Sequence, residues 1–210
     1  MSSGLVILLV VLAGYASNWL NWRFLDSALT RLLYYLGAFV HEGSHAVLCL
    51  LTGAKISEFQ VFSAQPHVTH GKPKLPLIGS TLISIAPLFG GLLFLFLVNR
   101  FVLGGHFSFE AVLDWRSLLR EPLELLGQMR IYEWQSWALA LLLLNVGAMI
   151  GPSTRDIKNI WPALVILFFI PVPALAQIGL FALSLIMAGI IVQAALIACL
   201  YVLRLAGKAF

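Results

Sequence analysis

Long apolar runs with few charged residues inside them limit most strongly how this chain can fold. A helix that crosses a bilayer needs about 20 mainly apolar residues, and the sequence offers about six such stretches. Only 10% of the residues are charged, whereas soluble globular chains carry about 25%. The sequence therefore predicts one domain over residues 1–210, an all-α integral membrane bundle of about six transmembrane helices. The runs are Gly4 to Leu20, Arg31 to Thr52, Leu77 to Asn99, Trp134 to Ile150, Ile157 to Ile170 and Ala174 to Leu203.

Two connections between these runs carry patterns of their own. Residues 54–76 alternate polar and apolar side chains up to a turn near Gln65-Pro66, which predicts a small β-hairpin after the second helix. Residues 100–133 mix charged residues with leucines at helical spacing, which is typical of a helix lying in the membrane interface. An ordinary structured loop is the alternative for this second connection.

The charge pattern gives weaker information about location. The first run has no basic residues before it and no obvious cleavage site after it, so we expect a retained helix. The net charge of +4 comes from basic residues near helix ends, which favours anionic lipid over nucleic acid as the partner. Six alternating spans divide the basic residues almost evenly, and we expect both termini on the cytoplasmic side of a cell membrane.

Residues 41–46 read His-Glu-Gly-Ser-His-Ala in the middle of the second run. On a helix, residues four positions apart share a face, about 6 Å apart along the axis, so His41 and His45 can direct ring nitrogens at one ion. Glu42 is turned about 100° from His41, where a carboxylate can exchange protons with water and a leaving amine. This H-E-x-x-H order predicts His41 and His45 as ligands of Zn²⁺ and Glu42 as a general base. Zinc requires at least one more protein ligand.

The depth of this motif supports a functional interpretation. Ten residues separate Arg31, a plausible interface residue, from His41. They span about 15 Å of helix, half of a hydrocarbon core about 30 Å thick. Ionisable residues at such depth usually mark functional sites. The alternative is a buried histidine pair bonded to neighbouring helices, with Glu42 paired to an arginine.

Small residues predict where helices approach closely. One face of the second run carries a small and polar stripe that we expect to face the bundle. Gly43, inside the motif, is interpreted as a point of close helix contact. The third run has a similar face of small residues and proline beside the motif helix. The two stripes are Tyr34, Gly37, Ala38, His41, His45, Cys49 and Thr52, and Ser80, Ser84, Pro87 and Gly91.

The segment from Arg31 to Asn159 resembles the site-2 protease family of intramembrane zinc metalloproteases, most closely at HEGSHA. The hairpin-like segment and a later acidic residue near a helix break are similar as well. The resemblance implies a zinc endopeptidase that cleaves transmembrane segments of other membrane proteins. It also implies a third zinc ligand, an aspartate in a later span, usually within an Asp-Gly motif. This chain has no Asp-Gly pair and no recognisable PDZ domain.

The third ligand has several candidates. Asp156 follows the helix break that we predict within residues 145–159, and similarity to the family's helix-break aspartate makes it our choice. Ser153 to Asp156 also matches a capping box, a role that needs no metal, and a break at the membrane surface would lie too far from His41. His67 and His70 are rivals that would have to fold back from the hairpin, unless they are simply exposed loop histidines.

Asn145 is a lone amide in the fourth run. An unpartnered amide in lipid is costly, so Asn145 is expected to bond another helix or a substrate carbonyl. The rival function is a transporter or metal-binding membrane protein in which the His/Glu cluster moves an ion or a proton. Such proteins favour repeated broken helices, whereas this sequence concentrates its ionisable groups in one cluster.

Overall fold

The computed structural model describes residues 2–24, 28–63, 66–109, 114–151, 153–169 and 172–206. Seven α-helices lie in these ranges, with a two-stranded sheet after the second helix and a π-helical turn after the fifth. They are α1 (Ser3–Phe24), α2 (Ala28–Thr52), β1 (Ile56–Gln60), β2 (His67–His70), α3 (Pro76–Phe101), α4 (Trp115–Gly127), α5 (Trp134–Leu142), the π-turn (Leu143–Gly147), α6 (Thr154–Phe169) and α7 (Pro173–Ala206). The predicted helical bundle and hairpin are both confirmed.

Three of the described helices are long and apolar enough to cross a membrane. They are Ser3–Asn21, Pro76–Phe101 and Pro173–Leu205, and a shorter apolar helix covers Trp134–Gly147. Their outward faces carry large apolar side chains, such as Phe96, which is 55% exposed, and Leu203, which is 61% exposed. Such faces suit lipid and not water. The chain is a membrane protein, and the count of six spans remains a proposal.

The hairpin begins where α2 is forced to stop. Gly53 adopts a φ of 72°, a left-handed conformation that glycine reaches without steric cost. The N–H of Ala54 then donates to the carbonyl of Cys49 at 2.8 Å, which closes the helix end. β1 and β2 pair antiparallel, with Ile56 opposite His70 at one end of the ladder. The predicted turn residue Gln65 lies outside the described residues.

The amphipathic connection forms helix α4. Its N-cap is Asp114, whose side chain accepts from the N–H of Ser117 at 2.7 Å in a capping box. Leu118 is buried. Leu119 and Leu123, on another face, are 63% and 62% exposed. The helix is therefore confirmed, and its position in the membrane interface is a proposal that the exposed leucines support.

Helix α2 lies against α3 on one side and against the π-turn on another. Its predicted inward stripe is buried at Ala38, His41, His45 and Cys49. Its opposite face is exposed, as shown by Leu50 at 71%. This separation of faces places the two histidines of the motif inside the bundle.

Gly37 is a point of close approach between α2 and the π-turn. A Cβ atom on Gly37 would lie 2.6 Å from the carbonyl oxygen of Asn145, closer than real Cβ contacts come. The prediction for Gly43 was wrong, because nothing lies within 4 Å of a Cβ built there. The contact falls six residues earlier because Gly37, and not Gly43, shares the face of His41.

Candidate metal centre

The structure brings His41, His45 and Asp156 together from two helices. The histidines lie in the middle of α2 and Asp156 in the first turn of α6, and all three are buried. The Nε2 atoms of His41 and His45 are 3.2 Å apart. The Oδ2 atom of Asp156 lies 3.8 Å from the first and 3.5 Å from the second. The three side chains thus meet at one point inside the protein.

Backbone carbonyls fix the orientation of both imidazole rings. The Nδ1 atom of His41 lies 2.7 Å from the carbonyl oxygen of Met149. The Nδ1 atom of His45 lies 2.7 Å from the carbonyl oxygen of Ile83. A carbonyl oxygen only accepts hydrogen bonds, so each Nδ1 carries the proton and each neutral ring keeps a lone pair on Nε2.

This tautomer assignment makes the cluster a set of acceptors. Two imidazole lone pairs and one carboxylate oxygen converge, with one ligand atom from each residue within 4.8 Å of the others. Such a set is repulsive unless a proton or a cation lies among them. Histidine nitrogens held by carbonyls on their far side, together with a carboxylate, match the donor chemistry of zinc sites. The residues therefore fit the metal that the sequence predicts.

Asp156 has the geometry of a cap and of a ligand at once. The N–H of Ser153 donates to Asp156 Oδ2 at 2.8 Å, and the N–H of Asp156 contacts Ser153 Oγ at 3.3 Å. The Ser153 hydroxyl also donates to Oδ2, at 2.5 Å. The same Oδ2 atom faces the two histidines. The predicted cap and the predicted ligand are therefore compatible, because the cap holds the carboxylate in place. The helix break also lies at the depth of the motif, so the objection from depth is removed.

Glu42 lies beside this cluster and outside it. Its residue is 8% exposed, and its side chain lines two cavities, of about 350 Å³ and about 180 Å³. Pro66 and Ser153 also line both. Glu42 thus lies next to the acceptor cluster in the chain and borders open space on two sides. That is the placement a general base requires.

The larger cavity opens between the hairpin and α6. Its walls come from α2, from β2 and from the start of α6, so both His45 and the hairpin reach it. The residues that line it are Glu42, His45, Pro66, His67, Val68, Thr69, His70, Ser153, Arg155, Asp156 and Asn159. The smaller cavity lies toward α1 and includes Asn18, Tyr34 and His41. The cluster therefore has open space on two sides.

The rival ligands His67 and His70 line the larger cavity without joining the cluster. The Nε2 atom of His67 lies 3.4 Å from Glu58 Oε2, and the Nδ1 atom of His70 lies 2.9 Å from the carbonyl oxygen of Gly71. Among the described residues, the group able to hold one ion consists of His41, His45 and Asp156. The geometry therefore favours Asp156 as third ligand.

Asn145 lies in the π-turn, next to α2. Its Nδ2 atom donates to the carbonyl oxygen of Leu141 at 2.7 Å, within the same helix. The amide would have to leave this bond to reach a substrate. Its role as a substrate ligand remains a prediction.

Sequence reasoning missed the two carbonyls that hold the histidine rings. Backbone groups have no motif of their own, but both carbonyls follow from signals in the sequence. Met149 lies where a helix breaks, and in a continuous helix its carbonyl would accept from Ser153. That N–H instead donates to Asp156, which leaves the Met149 carbonyl for His41.

Comparison with known proteins adds one match. The model of the family described as Peptidase M50B-like matches residues 1–105, half of the chain. The match includes α1, the motif helix α2, the hairpin and α3, and it ends before Asp156. No curated protein and no solved structure gives a significant match.

Proposed function

The chain belongs to the Peptidase M50B-like family, within the site-2 protease family, and from that premise we propose that it is an intramembrane zinc endopeptidase. It hydrolyses peptide bonds within or near transmembrane segments of other membrane proteins. The observation that carries this proposal is the convergence of two Nε2 lone pairs and the Asp156 carboxylate beside Glu42. Membership in a peptidase family favours this function over the alternative of a transporter.

His41, His45 and Asp156 would hold the zinc ion. Zinc, when bound, supplies a Lewis acid that polarises a carbonyl oxygen and makes water a better nucleophile at neutral pH. The three side chains are already oriented before the ion arrives, since carbonyls hold both rings and Ser153 holds the carboxylate. Preorganised ligands lose little freedom on binding, which strengthens binding.

Glu42 acts as the general base. Its carboxylate accepts a proton from the attacking water and returns that proton to the nitrogen of the leaving amine. Both cavities reach this carboxylate. Water can therefore approach Glu42 from one side while a peptide occupies the other.

A substrate segment has to leave its helical conformation before cleavage, because helix hydrogen bonds occupy its backbone groups. β2 lines the larger cavity at Val68 and Thr69. An unwound peptide that adds to the edge of β2 would lie beside the catalytic cluster, held by main-chain hydrogen bonds. Arg155 and Asn159 line the other wall and offer polar contacts to such a strand.

The membrane arrangement extends the three long apolar helices to six spans. α2 and α6 join α1, α3 and α7, and α5 with the π-turn forms the remaining span. The cluster then lies at membrane depth, and its two cavities admit water to the interior of the bundle. Six spans return the chain to its starting face, so both termini lie on one side of the membrane, and we propose that this is the cytoplasmic side.

Reconstitution tests this proposal directly. The purified chain would be placed in liposomes with a set of single-span reporter proteins, and the products identified by mass spectrometry. We expect internal cleavage of at least one reporter, loss of cleavage on zinc chelation, and recovery when zinc is restored. The absence of any product across the set with zinc-loaded protein would contradict the proposal, as would cleavage that chelation leaves unchanged.

A further inference from the structure

We infer that Pro87 is a positioning residue for the metal centre, because it frees the Ile83 carbonyl to hold His45. This inference rests on the proposed function only in treating His45 as a metal ligand. The juxtaposition of the proline, the carbonyl and the ring is a property of the fold itself.

Pro87 lies inside α3, which runs from Pro76 to Phe101. In an α-helix the carbonyl of residue 83 accepts from the N–H of residue 87. Proline has no N–H, and its ring pushes the carbonyl four residues before it away from the helix axis. The Ile83 carbonyl therefore lacks its normal helical partner.

His45 supplies the missing donor. Its Nδ1 atom lies 2.7 Å from the Ile83 oxygen. Ile83 is 2% exposed and His45 is 6% exposed, so water has little access to either group. A buried carbonyl without a partner would cost free energy comparable to a lost hydrogen bond. Pro87 therefore leaves the Ile83 carbonyl without a donor from α3, and the ring of His45 on α2 donates to it instead.

The consequence for the metal centre is a fixed tautomer. With its proton on Nδ1, the His45 ring keeps its lone pair on Nε2, toward His41 and Asp156. If residue 87 had an N–H, this group would engage the Ile83 oxygen along the helix and draw it back toward the axis. The ring would then lose the bond that holds its orientation and tautomer.

His41 is held by an equivalent arrangement, which supports the inference. His41 donates to the Met149 carbonyl, whose helical donor, the N–H of Ser153, is bonded to Asp156 instead. In each case an interruption of a neighbouring helix presents a free carbonyl to one ring. At Met149 the interruption is a helix end, and at Ile83 it is a proline.

The test compares Pro87→Ala with Pro122→Ala in the full chain. Pro122 lies inside α4 and, among the described residues, is not part of either cavity wall. Zinc affinity would be measured by competition with a chromophoric chelator, and the thermal midpoint on metal-free protein. We expect Pro87→Ala to weaken zinc binding about tenfold, the lower end of the usual effect of losing a partner of a ligating histidine. Pro122→Ala should leave zinc affinity unchanged.

The thermal midpoint separates positioning from a merely structural role. Removing a proline from a helix interior restores a hydrogen bond, so metal-free Pro87→Ala should unfold at the same temperature as the original chain or higher. Weaker zinc binding at undiminished stability supports the inference. Unchanged zinc affinity overturns it, and so does a loss of zinc affinity that only accompanies a lowered midpoint. If the alanine variant does not fold, Pro87→Gly restores the same N–H. Because glycine itself lowers helix stability by about 1 kcal/mol, its zinc affinity is then compared with that of Pro122→Gly, and an affinity equal to that of the original chain overturns the inference.

Nitrogen NMR of the histidine rings tests the inference without metal. At alkaline pH, metal-free protein should show His45 as the Nδ1–H tautomer, and Pro87→Ala should mix in the Nε2–H form. An Nε2–H tautomer in the original chain would overturn the inference. If the original chain binds no zinc, the proposed function fails while this measurement still decides the role of Pro87.

Discussion

The Nε2 atoms of His41 and His45 lie 3.2 Å apart, and both are acceptors because the opposite nitrogens donate to carbonyls. Two lone pairs at this separation repel each other, and the carboxylate of Asp156 adds a third acceptor. With neither a proton nor a cation among them, these three acceptors carry a local electrostatic cost, which a divalent cation would remove. Metal binding and folding are coupled in such a site.

Zinc should therefore stabilise the protein. At a free zinc concentration about 100 times the dissociation constant, linkage predicts about 2.7 kcal/mol of added stability. For a chain of this size, we expect the thermal midpoint to rise by roughly 5 to 10 °C. Thermal unfolding in detergent with zinc and with chelator measures this. Identical midpoints would contradict a preformed zinc site.

Replacing either histidine should remove the ion. His41→Ala and His45→Ala each leave two of the three ligands, which is an incomplete zinc shell. We expect the zinc content of the purified variants to fall sharply. His106→Ala is the matched control, because His106 pairs with Glu133 at 2.7 Å and lies outside the cluster. Full zinc content in both site variants would place the metal elsewhere.

Glu42→Gln should separate metal binding from catalysis. The amide keeps the shape of the side chain but cannot accept the proton of an attacking water. We expect normal zinc content, an unchanged thermal midpoint and a loss of cleavage of at least about 100-fold. Glu124→Gln on α4, where Glu124 pairs with Arg120 at 2.9 Å, is the control and should cleave normally. Normal cleavage by the Glu42 variant would remove its assignment as base.

Asp156→Asn should weaken zinc binding while the helix cap survives. Asparagine lacks the negative charge of the ligand, but its oxygen can still accept from Ser153, so the stability cost should be about 1 kcal/mol or less. Zinc content and thermal midpoint, measured together, test this. Retained zinc and activity would assign Asp156 to capping alone, and His67→Ala and His70→Ala would then identify the missing ligand.

Gly37→Ala should separate α2 from the π-turn. Its methyl group would meet the Asn145 carbonyl oxygen at 2.6 Å and the Met149 sulfur at 3.0 Å. Overpacking of this kind typically costs about 1–3 kcal/mol, and zinc affinity should fall because His41 depends on Met149. Gly43→Ala, with open space around the new methyl, should keep its zinc and its stability. Equal behaviour of the two variants would show that the contact at Gly37 is unimportant.

Much of this architecture follows from the sequence, because apolar length and helical periodicity are local signals. The runs predict the helices within a few residues, and the spacing of His41 and His45 predicts their shared face. The alternation after Ala54 predicts the hairpin. These features depend on near neighbours in the chain, which a single sequence records.

Features that depend on distant contacts were harder to predict. The sequence offered Asp156 as either cap or ligand, and only the fold, which brings the first turn of α6 to the histidines of α2, shows that one atom can do both. The position of Gly43 inside the motif suggested a helix contact there. The actual contact at Gly37 depends on where the π-turn lies, and periodicity does not record that.

The helix that contains the π-turn at Leu143–Gly147 also makes the cluster sensitive to the length of the chain. A π-turn accommodates one residue more than an α-turn, so it absorbs one extra residue, whereas each residue of a regular α-helix turns the chain by about 100°. Deleting one residue from α5 would therefore rotate everything after it, including the Met149 carbonyl that His41 requires. The number of residues in the fifth helix therefore sets the direction in which the Met149 carbonyl faces His41. A deletion can change that direction even when every side chain of the cluster is kept.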